Sequence, residues 1–220
     1  ATDALCIDGD ASLHTSHHQL KWWAREVNVV EPMPEARKPL KWSRTSTIFD
    51  EEDHPSRTTM VGCLQLLVSR TIRNLKVTKM LVDGGAGLNL ISPAVISRLQ
   101  ISEEELEVTG TFQGVSPRRS HPKGKITLPV TFGGELNYRT KKIVFDVVDL
   151  PLLYNGIFGR LALAKFIAAS HYAYNTLNMP GRMGVLTFPS DEKDAIICMD
   201  KMYRDTVAAA AATAREGKGK

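Results

Sequence analysis

The string Met80-Leu81-Val82-Asp83-Gly84-Gly85-Ala86-Gly87-Leu88-Asn89-Leu90-Ile91-Ser92 brings an apolar run directly onto a carboxylate and follows it with two glycines. Gly84 and Gly85 open backbone conformations closed to other residues and leave room for a substrate or a second chain to come close to Asp83. The motif presents the carboxylate instead of hiding it, and the chemistry open to a presented carboxylate is proton transfer. Taken alone, Asp-Gly-Gly is equally a β-turn with Asp at its first position, so the surrounding sequence has to decide.

Other residue types narrow the choice. His14, His17 and His18 cluster without a further ligand at helical or finger spacing, which reads as a solvated loop, so neither a metal nor a cofactor is expected. Cys6, Cys63 and Cys198 lie far apart with no C-x-x-C pair, which excludes a disulfide framework and makes a reducing, intracellular and cytoplasmic setting the default. Trp22, Trp23 and Trp42 stand among Lys21, Arg25, Lys38 and Lys41; stacking on nucleic acid bases is one use, and latching the segment onto the following domain is the favoured one. A formal net charge of +4 is too mild to make nucleic acid an expected partner. The apolar runs fall short of the ~20 residues a spanning helix needs, and the amino end lacks a basic region, so neither a membrane span nor a secretory signal is expected.

The elements that would position Asp83 follow from the chain's rhythm. Its 220 residues, 43% hydrophobic, fit one domain of ~100–150 residues with attached segments. Residues 1–57 hold Pro32, Pro34, Pro39 and Pro55 and no sustained period, and read as an arm, ordered only where Trp42 and Phe49 pack on the domain. From residue 58 to 189 short Val-, Ile-, Leu-, Thr- and Phe-rich segments alternate with Gly and Pro clusters, the pattern of a small mainly-β domain. Strands are expected over Val61–Val68, Val77–Val82, Glu107–Phe112, Lys125–Phe132, Lys141–Val148, His171–Leu177 and Gly184–Phe188. Two short helices interrupt them: Ser92–Leu99, with Ser92 as N-cap and Pro93 at the first helical position, and Leu161–Ala168. Residues 190–220 form a tail, helical from an acidic first turn at Asp191 and Glu192 to about Ala214.

An apolar pair, then Asp-x-Gly-Ala, then a Leu-Ile-Ser-Pro helix start resembles the active-site loop of retropepsin-like aspartic proteases. Further on, Asn155-Gly156-Ile157-Phe158-Gly159-Arg160 followed by the helix from Leu161 looks like that family's second signature. Phe49 to Pro55, Thr109 to Val115, Leu163 to Phe166, His171 to Tyr174 and Met179 to Gly181 are similar to the protease region of plant Ty3/gypsy retrotransposon polyproteins. The resemblance implies a closed retropepsin-like acid-protease β-barrel with Asp83 close to Gly159. It implies Asp83 as the catalytic residue, Gly84, Gly85 and Ala86 as the active-site loop, and Ile157, Phe158 and Gly159 as the second signature. It also places a flap, a hairpin closing over substrate, at Gly114 to Gly124, with Gly114, Val115 and Ser116 among its residues.

Peptide hydrolysis by this route uses two carboxylates that share a proton, one activating water and the other hydrogen-bonding the scissile carbonyl. The chain holds a single Asp-x-Gly in an apolar frame, so a homodimer is the expected partner arrangement, with a polypeptide as substrate. Three departures stand out. Gly84 replaces the Thr or Ser whose hydroxyl bonds across the dimer in that family, although the similar plant elements commonly carry Asp-Gly-Gly too; Phe158 and Leu161 stand where Leu and Pro are usual, and Phe158 predicts an overfilled strand unless its neighbours shrink. The alternative to an active peptidase is a dimerisation or binding module that keeps the fold and cleaves nothing.

Overall fold

The computed structural model describes residues 46–54, 62–110, 112–113, 119–120, 122–149 and 153–216. The chain divides into Ala1–Leu40 and Lys41–Lys220, and every described residue belongs to the second unit. The expectations for residues 1–45, Trp42 among them, lie outside the described residues.

The fold is mainly β and centres on a closed barrel. Its strands are β1 (Leu67–Ile72), β2 (Leu75–Asp83), β3 (Leu90–Ile91), β6 (Gly124–Gly133), β7 (Tyr138–Val147) and β8 (Gly156–Gly159), ordered β1-β2-β8-β3-β7-β6 and closed by Ile72 pairing with Val130. The closure is narrow, made by two residue pairs, Thr71 with Thr131 and Ile72 with Val130. Most pairs are antiparallel, but β8 runs parallel to β2, and β3, inserted between β8 and β7, runs parallel to β7. Parallel neighbours cannot be joined by a tight turn. The chain therefore leaves β2, crosses into β3, makes the β6–β7 hairpin, and returns in β8 to lie beside β2.

A bulge sets which residues of β2 face inward. Val68 pairs with Met80 and Arg70 with Val77, so β2 carries one extra residue, and Lys79 takes φ 53 to absorb it. The phase of burial changes there: Val77 is buried before it, Met80 and Val82 after it. Leu81 and Asp83 consequently face out of the barrel.

Inside, Phe132, Phe145, Phe158 and Phe166 form an aromatic core, with Phe158 centroids 5.6 Å from Phe132 and 6.0 Å from Phe145. Phe158 is 1% exposed, and its seat is built from other rings at tilted contact angles; the expected overfilling does not arise. Polar Arg70 sits in the middle of β1 because its guanidinium lies 3.8 Å over the Phe188 ring and 4.7 Å over Phe132.

Three expected strands are shifted or shortened. Residues 62–66 are turn and irregular, so the first strand starts at Leu67 and Val61 lies outside the described residues; Ser69, Arg70 and Thr71 belong to the strand in spite of their polarity. Glu107–Phe112 makes only a bridge at Glu107 to Lys125 and a two-residue strand β4 (Phe112–Gln113), paired with β5 (Arg119–Ser120). His171–Leu177 is broken by a turn with Asn175 at φ 49, giving β9 (Ala169–His171) and β10 (Thr176–Pro180), which with β11 (Val185–Pro189) form a three-stranded sheet ordered β11-β10-β9. Phe49 packs on His171 and Tyr174 beside this sheet, and Asn178, fully buried, donates to Ile48 O at 3.1 Å.

The helices are α1 (Pro93–Arg98), α2 (Arg160–Phe166) and α3 (Glu192–Glu216). Ser92 occupies the N-cap position of α1 and Pro93 its first turn, as expected, although the Ser92 hydroxyl makes no cap bond. Asp191 accepts from Asp194 N–H at the start of α3, whose Ala195 and Cys198 are buried against Leu64 and Leu67 with Leu81, Leu153 and Tyr154 alongside. No helix among the described residues is long and apolar enough to cross a membrane.

Candidate active site

Asp83 closes β2 and is half-buried. Its Oδ1 accepts the Gly85 N–H at 2.9 Å and the Ala86 N–H at 3.3 Å, and its backbone carbonyl accepts the Ala86 N–H at 3.2 Å. A carboxylate that folds back on the two following amides fixes its own rotamer and its turn together. Among the described residues Oδ2 has no hydrogen-bond partner and remains open. Gly84 and Gly85 are exposed, as a presented carboxylate requires, but neither uses the left-handed backbone that the sequence suggested. A Cβ on Gly84 would meet nothing within 4 Å, and one on Gly85 would sit 3.2 Å from Asp83 Oδ1. The glycines serve here by leaving space rather than by bending the chain.

The second signature lies directly behind this loop. Asp83 pairs with Gly159 and Leu81 with Ile157 in the parallel β2–β8 ladder, so the two strings come together as expected. Arg160 N–H donates to Ala86 O at 2.9 Å, and the Arg160 guanidinium reaches to 3.2 Å from where a Cβ on Gly87 would stand. Gly159 has no room for a side chain: its Cβ would strike the Leu88 carbonyl oxygen and lie 2.7 Å from Ala86 O. Ile157 is partly buried on the outer face beside Leu90, whereas Phe158 points into the core.

Asn89 is a site residue that the sequence reading did not single out. It is 5% exposed, accepts the Gly159 N–H on Oδ1 at 3.0 Å and donates from Nδ2 to Val144 O at 2.9 Å. One amide thus ties the ends of β8 and β7 to the loop after Asp83. A polar residue inside the apolar run Leu88-Asn89-Leu90-Ile91 was the available signal. Asn89→Ala leaves a buried donor and a buried acceptor unpaired, at ~1–3 kcal/mol each, and is expected to lower the unfolding midpoint sharply without altering any exposed group. Thermal unfolding of the purified variant measures this.

Gly114, Val115 and Ser116 of the expected flap lie outside the described residues; β4 and β5 pair on either side of them. Asp146 of β7 is 8% exposed, and its Oδ1 accepts the Thr109 hydroxyl at 3.2 Å. Burial pushes the Asp146 carboxyl above the ordinary carboxylate range, while the Thr109 bond and the Lys125 ammonium pull it partly back. A raised native value means that the folded protein binds this proton more tightly than the unfolded chain. Stability therefore falls as pH rises from the ordinary carboxylate value through the native one. Asp146→Asn is expected to remove that part of the slope, read from unfolding midpoints across the acid range. Among the described residues no cluster of three His, Cys, Asp or Glu side chains is arranged to hold a metal.

Residues 68–161, which run from β1 through the Asp83 loop and the second signature, match the family model described as aspartyl protease. This match supports a protease-like reading of the barrel. The chain is similar to the retroviral protease-like domain of Ddi1 from Leishmania major, at 21% identity over 59% of this chain and 98% of that one, with a TM-score of 0.43. It is also similar to a retropepsin-like aspartic protease from Rickettsia conorii, at 18% identity over 56% and 84% of the two chains, with a TM-score of 0.40. No curated protein matches the chain.

Proposed function

We propose that this chain is an aspartic endopeptidase that hydrolyses peptide bonds with a water activated between two copies of Asp83, one from each subunit of a homodimer. The observation that carries the reading is the Asp83 loop itself. Its carboxylate ends an apolar strand, is held on one oxygen by the Gly85 and Ala86 amides, has no partner on the other among the described residues, and is backed by Gly159, itself held by Asn89. With two such carboxylates sharing one proton, the ionised one takes a proton from water as the water oxygen attacks the scissile carbonyl carbon. The protonated one hydrogen-bonds the carbonyl oxygen, and the amine then leaves with a proton as the tetrahedral intermediate collapses.

The resemblance in sequence to plant Ty3/gypsy elements supports a retroelement origin and intracellular polyprotein processing as the biological setting. Activity requires the singly protonated pair and is acid-favoured. A second reading, a dimerisation or binding module that keeps the fold without hydrolysis, draws on Gly84, since without that hydroxyl the two Asp83 loops would be held less rigidly for catalysis.

The test is incubation of concentrated purified chain with an unstructured protein at mildly acidic pH, with and without a statine-type inhibitor. Inhibitor-sensitive cleavage that rises per chain with concentration is the expected result. A dimer that cleaves nothing at any concentration or pH would establish the binding module instead.

A further inference from the structure

The helix α3 is 25 residues long, about 37 Å, and only its first part is packed. Ala195 and Cys198 are buried with Leu64 and Leu67, Lys79 stands 3.7 Å from Asp194, and Met202 Sδ accepts from Gln65 Nε2 and the Tyr154 hydroxyl. From Lys201 to Ala208 every residue is exposed. A helix leaving the body of its domain gains little from packing there, and propensity alone holds such a stretch weakly.

The side of α3 opposite Ala195 and Cys198 is nevertheless apolar. Ile196, Tyr203 and Val207 are 49, 70 and 49% exposed, with Ile197, 47% exposed, on their flank. Together with Asp200 they run Ile196-Asp200-Tyr203-Val207, spaced by four, three and four residues, which is the seam of a two-helix coiled coil. Arg204 lies one turn beyond Asp200 and holds it at 2.8 Å, an exposed pair worth little to a lone chain.

This seam complements itself in one direction only. Two copies paired antiparallel about a two-fold axis near residues 201 and 202 set each Ile196 against the partner's Val207 and bring each Asp200 within reach of the partner's Arg204. Parallel pairing would instead stack Asp200 on Asp200 in the seam, acid on acid. Apolar meets apolar and acid meets base, so the occupant this face fits is a second copy of the chain.

We propose that the Ile196-Asp200-Tyr203-Val207 face of α3 joins two copies of this chain as an antiparallel helix pair, and that this pairing holds the two Asp83 loops together. Leu81, two residues before Asp83 in β2, packs on the cluster beneath α3. A closed two-fold dimer has a single axis, so the helix pair and the two loops share it. The contact supplies association at a site where Gly84 offers no hydroxyl to bind across the interface. The consequence for hydrolysis rests on the peptidase reading above; the pairing itself does not.

Two measurements on the full chain separate them. The first is sedimentation velocity over a range of concentrations, with the unfolding midpoint confirming that each variant is folded. Asp200→Arg sets arginine against arginine across the seam and Arg204→Asp sets aspartate against aspartate, so each variant alone is expected to raise the dimer Kd about tenfold. Mixed in equal amounts, the two restore every opposite-charge pair and are expected to associate about as tightly as the wild type does with itself. A charge pair acting only within one helix cannot give that recovery, because neither chain regains its own partner. The second is cleavage assayed well below the wild-type Kd, which is expected to fall about tenfold per chain in either variant and to recover on mixing. A wild type that stays monomeric at every concentration would overturn the pairing and leave the face to an unlike partner. Undiminished dimers in the single variants, or no recovery on mixing, would overturn it as well. Cleavage unchanged while dimers are lost would overturn the link to Asp83. Dimers that respond as expected without any hydrolysis refute the peptidase reading alone.

Discussion

If the chain is the peptidase proposed above, Asp83→Asn is expected to abolish hydrolysis while leaving the barrel folded. The Asn side-chain oxygen still accepts the Gly85 and Ala86 amides that Asp83 Oδ1 accepts, and the side chain is only half-buried, so the loop keeps its shape. What is lost is the base that takes a proton from water, a loss of about 10²–10⁴-fold or more in turnover, against a stability change of about 0.5 kcal/mol or less. Parallel measurement of cleavage rate and unfolding midpoint tests both halves. Retained hydrolysis in Asp83→Asn would assign the chemistry to some other group, and a collapsed fold would make Asp83 a structural residue.

Gly159→Ala is expected to be the most damaging single-methyl change at the site, and Gly84→Ala among the mildest, although both glycines belong to the two signatures. At Gly159 the new Cβ meets the carbonyl oxygens of Leu88 and Ala86, which belong to the loop that crosses behind Asp83 and cannot turn aside as a flexible side chain would. Ordinary overpacking costs ~1–3 kcal/mol, and backbone obstruction at the β2–β8 crossing exceeds it. At Gly84 the position is exposed, no atom lies within 4 Å of the Cβ, and the backbone is not left-handed. The expected outcome is therefore an unstable or unfolded Gly159→Ala and a folded Gly84→Ala with its unfolding midpoint nearly unchanged. Comparable stability of the two variants would show that the loop does not cross behind β8 as described.

The parts legible in the sequence were those specified by local pattern. The run Met80-Leu81-Val82 ending at Asp83, the long alternating strands of the β6–β7 hairpin, Pro93 opening a helix and the two signature strings all carry their structure within a few residues. What stayed hidden depends on distant partners. Leu90–Ile91 is too short to show a period and is a strand because β7 and β8 flank it. Arg70 belongs to a barrel strand because Phe132 and Phe188, far along the chain, supply ring faces for its guanidinium. The bulge at Lys79, which decides that Asp83 faces out, has no Gly to announce it. Asn89 and Asp146 read as isolated polar residues in apolar strands, and their partners Gly159, Val144 and Thr109 are joined to them only by the crossing of β3 between β7 and β8.

The claim at the centre of this account is that a working site needs Asp83 from two chains, and a mixing experiment tests it most directly. Wild-type chain and Asp83→Asn are combined in varying proportion at constant total concentration, allowed to exchange subunits, and assayed for cleavage at mildly acidic pH. If both carboxylates of a dimer are required, hydrolysis follows the square of the wild-type fraction, because every mixed dimer is inert. A linear decline would mean that one Asp83 suffices, and would contradict the shared site.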